Sequence, residues 1–296
     1  MDDGGPRVKV PAGRATTLPS ARAPAKMDRV TRDGGAIASF DHRDFPVALV
    51  RELKGATSVS VCIPARDEAA TVGRIVASVR DGLMGRVGVV DELVVVDDGS
   101  LDATAVVARR AGARVVPSST AAGGGPGPLG KGDAMRAGVA STTGDLVVFL
   151  DADVTNFRPH FVSGLLGPLL TRPPTVLVKG AYARYLHGSP TGGGRVTELV
   201  ARPVLALTYP ELAEVRQPLA GETAVRRSVL REVELAPGYG VEIALLIDVA
   251  DRFGAAALAQ VDLGIRAHRN RPLAELAPQA REVLGAALAR LGLPAR

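Results

Sequence analysis

Two carboxylates one residue apart, Asp151 and Asp153, close the run Phe149-Leu150-Asp151-Ala152-Asp153-Val154. A buried strand that ends this way delivers both acids to the edge of a sheet. Paired acids at such an edge call for a cation, and a cation there can hold a phosphate. The pair is therefore a candidate for chemistry on a nucleoside-diphosphate compound. A lone Asp-x-Asp is more often a strand end followed by a capped turn, so the rest of the chain has to decide between the two.

Two more acidic loops follow apolar runs. Pro64-Ala65-Arg66-Asp67-Glu68 comes after Val59-Ser60-Val61-Cys62-Ile63, and Asp97-Asp98-Gly99-Ser100 comes after Leu93-Val94-Val95-Val96. Alone, the Asp98 loop reads as a turn with a helix cap. Alone, Glu68 reads as a first-turn carboxylate favoured by the helix dipole. Three acidic loops on one rim would gather charge that must be neutralised or used. A second kind of site is suggested by Gly192-Gly193-Gly194-Arg195-Val196-Thr197. Glycines let backbone N–H groups approach an anion, a following helix start favours it, and Arg195 offers a two-pronged donor. The alternative is a loop before an ordinary helix.

The elements that would position these residues alternate. Strands are expected at Ser58–Ile63, Glu92–Val96, Ala113–Val116 and Asp145–Leu150, and helices at Ala69–Met84, Asp102–Ala111 and Lys131–Ala140. Ser100 or Asp102 is suited to cap the second helix. This order implies an α/β fold with a mostly parallel sheet flanked by helices, which binds ligands beyond the carboxyl ends of its strands. The second half predicts a strand at Thr175–Tyr182, a helix from Gly192 through Leu207 and another over Gly238–Phe253. A strand at Ala256–Ile265 and a terminal helix over Leu273–Leu291 follow. Residues 1–35 read as a disordered tail, and Ala121–Gly130 as a Gly/Pro loop.

Composition narrows the function classes. The 296 residues are 46% hydrophobic and 3% aromatic, with no Trp, so the core must be aliphatic. No apolar run reaches the length of a membrane span, and the first residues lack a signal-type apolar core. The lone Cys62 fits a reducing compartment and a core position better than a nucleophile. A net charge of +5 admits nucleic acid, but so few aromatics leave little for base stacking. An acidic small substrate accounts for the excess at least as well.

In its three acidic loops and in Lys131-Gly132-Asp133-Ala134, the chain resembles nucleotide-sugar glycosyltransferases of the GT-A (Rossmann-like) fold. Gly194-Arg195-Val196-Thr197, Pro218-Leu219-Ala220-Gly221-Glu222, Gly238-Tyr239-Gly240-Val241-Glu242 and His268-Arg269-Asn270 narrow this. From Ala36 onward the chain is similar to the actinobacterial glucosyl-3-phosphoglycerate synthases. It departs from their pattern in the charged pair Arg66-Asp67, in the length of the Gly/Pro loop and in having Asp98 where a Ser can occur.

The resemblance implies a nucleotide-sugar half at 36–180 and a smaller acceptor-binding half at 181–296. It implies a cytoplasmic homodimer that transfers glucose from UDP-glucose to the 2-hydroxyl of 3-phosphoglycerate with retention, toward methylglucose lipopolysaccharide. Pro64, Ala65, Glu68, Asp98 and Lys131 would hold the nucleotide, and Asp151 the ribose or sugar. Asp153 and His268 would ligate Mg²⁺ or Mn²⁺, although a His at a strand end is by itself more often structural. Gly194, Arg195, Thr197 and Asn270 would bind the acceptor. Glu242 and Tyr239 would hold the glucose, and the Leu219 carbonyl would face the anomeric carbon. Rival expectations are a mannosyl-3-phosphoglycerate or polyprenyl-phosphate enzyme and a non-catalytic nucleotide-sugar sensor.

Overall fold

The computed structural model describes Met1 and residues 36–119, 128–186, 189–192, 194–267 and 273–293. Residues 2–35 of the expected tail and most of the expected Gly/Pro loop lie outside the described residues. So do His268 and Asn270.

The first half alternates as the sequence implies. Strand β1 (Ala38–Asp41) and helix α1 (Val47–Lys54) precede β2 (Val59–Ala65), α2 (Val72–Leu83), β3 (Glu92–Asp97), α3 (Thr104–Ala111) and β4 (Arg114–Pro117). Helix α4 (Lys131–Ala140), β5 (Leu146–Phe149) and α5 (His160–Thr171) complete it. The second half begins with β6 (Leu177–Leu186), whose hairpin partner β7 (Ser189–Gly192) is followed by a π-helical turn (Thr197–Ala201) and α6 (Arg202–Thr208). Then come β8 (Thr223–Arg226), a 3₁₀ turn (Gly238–Gly240), α7 (Val241–Phe253), β9 (Leu258–Arg266) and α8 (Leu273–Arg290). Gly192 closes a strand here and does not open the helix, because its backbone pairs with Tyr185 of β6. Neither expected cap residue is the N-cap of α3, which is Ala103 without a side-chain cap bond; Asp102, one residue earlier, accepts the Thr104 N–H at 2.8 Å in a local turn. Ser100 instead accepts the Asp67 N–H.

The strands lie in the order β1-β9-β6-β8-β5-β2-β3-β4, with β7 beside β6. β8 runs against both of its neighbours, while the other pairs along this path are parallel. That one reversal decides where the site lies. β6 and β9 run the same way as β2, β3 and β5, so the carboxyl ends of all five face one rim. The amino end of β8 faces that rim too, which brings the preceding loop Pro218–Glu222 to it. The sheet is continuous across the expected boundary at residue 180, which falls inside β6.

Both faces are covered, as a parallel sheet requires. Val61, Ile63 and Val95 pack on one face with residues of α2 and α5, while Cys62, Val94 and Val96 pack on the other with α4 and α7. Cys62 is fully buried, and burial pushes its thiol up to about 12, which removes any thiolate role near neutral pH. A side chain at Gly138 would collide with its sulfur, so α4 lies against the strand at its closest. Among the described residues no helix is long and apolar enough to cross a membrane.

Candidate functional site

The rim holds a cavity of about 260 Å³. Every predicted site residue among the described residues lines it. From the first half these are Pro64, Ala65, Glu68, Asp98, Lys131, Asp151 and Asp153. From the second they are Gly194, Arg195, Thr197, Leu219, Tyr239 and Glu242. Arg66 and Arg266 join them, with Leu276, Gln279 and Val283 of α8.

The nucleotide-side loops are tied to one another. Asp67 has a left-handed backbone, φ 54°, uncommon for a residue with a side chain. Its N–H donates to Ser100 Oγ, and its Oδ1 accepts the Leu101 N–H at 2.7 Å, so the first loop is latched to the second. Asp98 accepts from Ser118 Oγ at 2.7 Å and from the Leu129 and Gly130 N–H groups at 2.9 and 3.0 Å. Its carboxylate thus holds the entry to α4 in place while lining the cavity. Glu68 is buried and accepts from the Thr71 hydroxyl.

The centre is a chain of alternating charges. Lys131 Nζ lies 2.5 Å from Asp151 Oδ1 and 2.5 Å from Glu242 Oε1. It joins the acidic end of β5 to the start of α7. Burial opposes its charge, but the two carboxylates hold the ammonium above the usual lysine range. The other Asp151 oxygen accepts from Arg266 Nη2 at 2.7 Å, and that nitrogen also reaches Asp153 Oδ1 at 2.8 Å. Arg266 Nε donates to Glu222 Oε1 at 2.8 Å, and the Tyr182 hydroxyl donates to Glu222 Oε2 at 2.7 Å. Burial works against the Arg266 charge too, and its acidic neighbours keep it protonated. A side chain at Gly221 would overlap the Asp151 carboxylate, so this glycine makes room for the acid.

Arg266, Glu222, Tyr182 and Lys179 were not among the predicted residues. Lys179 Nζ donates to the Ala220 carbonyl at 2.5 Å and to Thr223 Oγ1 at 3.0 Å, bracing the loop that carries Leu219. Lys179 in Leu177-Val178-Lys179-Gly180-Ala181 and Glu222 in Leu219-Ala220-Gly221-Glu222 are charges in otherwise apolar stretches. A charge there must find a partner, and that was the available signal.

Thr197, which also lines the cavity, is 1% exposed, and its hydroxyl has no hydrogen-bond partner among the described residues. A buried orphan hydroxyl lining a cavity is suited to a ligand. The Tyr239 N–H donates to Glu282 Oε2 of α8 at 2.6 Å, which fixes the turn before Glu242. The arrangement therefore offers an acid pair that already holds one cationic centre, next to a basic and hydroxyl-bearing wall.

Residues 60–232 match the family described as glycosyl transferase family 2. The glucosyl-3-phosphoglycerate synthase of Mycolicibacterium paratuberculosis is 47% identical over 279 residues, spanning 90% of this chain and 83% of that one. The crystal structure of the Mycobacterium tuberculosis synthase in complex with Mn²⁺, UDP-glucose and phosphoglyceric acid matches with TM-score 0.79 at 46% identity. It covers 87% of this chain and 88% of that one. The same enzyme in complex with Mg²⁺ and UDP matches with TM-score 0.79 at 46% identity, over 86% and 87% of the two chains.

Proposed function

The chain belongs to the glucosyl-3-phosphoglycerate synthases of glycosyl transferase family 2, and on that premise we infer that it transfers glucose from UDP-glucose to 3-phosphoglycerate. The observation that carries the reading is that one cavity joins the acid pair Asp151 and Asp153 to the Gly194–Thr197 segment. A diphosphate-bearing donor and an anionic acceptor can therefore meet within it.

The residue roles are part of this proposal. The bond from the anomeric carbon to the β-phosphate oxygen breaks, and the acceptor 2-hydroxyl oxygen bonds to that carbon from the same face. Its proton passes to the departing phosphate oxygen, so the products are UDP and glucosyl-3-phosphoglycerate. Asp98 and Glu68 support the nucleotide loops, and Glu242, held by Lys131, accepts from glucose hydroxyls. The Leu219 carbonyl faces the charge that develops at the anomeric carbon, on a loop braced by Lys179. Arg195, the Gly194 backbone and the orphan Thr197 hydroxyl receive the acceptor's phosphate and carboxylate. The protein's contribution is positioning and charge complementarity.

The reaction uses Mg²⁺ or Mn²⁺. The donor set fits: Asp153 and Asp151 are hard oxygen donors that converge on the single nitrogen Arg266 Nη2, so they are already placed to share a cation. Asp153 would hold the ion, with His268 as the partner implied by the family. When bound, such an ion neutralises the diphosphate leaving group.

Two coarser features complete the proposal. Leu199 and Leu207 stand 73% and 84% exposed on the π turn and α6, which supports a homodimer. Both substrates are phosphorylated anions that a bilayer retains inside a cell, which supports the cytoplasm.

The test is product formation from UDP-glucose and 3-phosphoglycerate with Mn²⁺, followed as UDP release and by mass. Release should require all three components, and Asp153→Ala should lower kcat/KM by at least a hundredfold. Acceptor-independent UDP release, or an Asp153→Ala protein with normal turnover, would overturn the reading.

A further inference from the structure

We propose that a second cleft, between α2 and the segment Val154–Arg158, binds a phosphate dianion, either free phosphate or the phosphate of a small phosphomonoester. The cleft is a cavity of about 280 Å³. Its polar lining is Arg74, Ser78, Thr155, Asn156 and Arg158, and it contains no carboxylate. It shares no lining residue with the active-site cavity.

Three observations point to an anion. First, neither guanidinium has a hydrogen-bond or ion-pair partner among the described residues. Elsewhere Arg80, Arg136, Arg216, Arg252 and Arg290 each bond a carboxylate. Two unneutralised cations on one concavity, with the Ser78 hydroxyl also in its lining, match an oxyanion in charge. Second, the influence of Arg158 is felt next to the cleft: burial foremost, then His42 and Arg158, push the neighbouring His160 below its usual value. Third, the floor is fixed. Thr155 N–H donates to the Ala267 carbonyl at 2.9 Å, Asn156 Nδ2 to the Ile265 carbonyl at 2.8 Å, and Ala267 N–H to Asn156 Oδ1 at 2.9 Å. A lining held this way needs little ordering when a ligand arrives. These bonds also grip both neighbours of Arg266, so the cleft backs directly onto the clamp that joins Asp151 and Asp153.

The test is equilibrium dialysis of the full chain with radiolabelled inorganic phosphate at low salt, where exposed charges are least screened. Arg195→Gln should still bind one phosphate per chain. Arg74→Gln/Arg158→Gln should lose that site while keeping its glucosyl transfer rate and its melting temperature, since both arginines are exposed. Competition with glycerol 2-phosphate separates the two sources: stronger displacement than by unlabelled phosphate assigns a phosphomonoester, weaker displacement free phosphate. Phosphate binding by the double variant equal to wild type, or no binding by Arg195→Gln, overturns the proposal. Failure of the acceptor-site reading would look different, because Arg195→Gln would then bind as much phosphate as wild type.

Discussion

Lys179 lies in β6 between Val178 and Gly180, only 2% exposed, with its ammonium turned to the Ala220 carbonyl and the Thr223 hydroxyl. Burial pulls it down to about 8, against the opposing pull of Glu242. The unfolded chain keeps this proton up to about 10.5, whereas the folded chain releases it near 8. Between those values the unfolded state binds more protons, so stability rises with pH across that window. The gap corresponds to roughly 3 kcal/mol at about 1.4 kcal/mol per pH unit. Urea unfolding at pH 7.5 and pH 10 should show wild type gaining stability relative to Lys179→Met as pH rises. Parallel stabilities at the two values would contradict the burial argument. Lys179, Glu222 and Arg266 also mark where reading residues one at a time stops. Asp151 and Asp153 announce themselves by spacing, and Lys131 by its glycine turn. Arg266 acquires its meaning only through acids some 40 to 115 positions away in sequence, and no local pattern carries that distance.

At the scale of elements, α8 acts as a wall of the site. Glu282 reaches from it to the Tyr239 N–H, and a side chain at Gly238, where φ is +63°, would collide with Glu282. The helix and the turn before Glu242 are thus fitted to each other. Hydrogen bonds to charged groups are worth about 1.5–3 kcal/mol, so Glu282→Ala should raise KM for UDP-glucose by roughly tenfold, at about 1.4 kcal/mol per decade. Glu282→Gln retains an acceptor oxygen and should recover most of the loss. Steady-state kinetics on both variants decide it, and equal KM values in all three proteins would refute the coupling. Elements with a clear period were legible: β2, β3, β5 and α4 fall where alternation, apolar runs and flanking glycines put them. Helix α5 was not, because it is buried from Phe161 through Leu169 and so lacks a polar stripe. Strand β8 was not either, since its four residues are fixed by the neighbours on both sides and hardly by their own pattern.

For the whole molecule, the exposed leucines of the π turn and α6 set an expectation about assembly. Light scattering should return twice the 30.5 kDa of one chain, and Leu207→Glu should shift the mass toward a single chain. A monomeric wild type at micromolar concentration would remove the homodimer from the proposal. The reversed strand has a different consequence, for the order in which the chain can be built. β8 inserts between β5 and β6, and β1 pairs Ala38 with Ala259 of β9. A ribosome that has released only the first half exposes β2 to β5 with the edge of β5 unpaired, and leaves β1 without its neighbour. That edge stays open until residues 223–226 emerge, and the first strand of the sheet docks only once its partner near the end of the chain has been made.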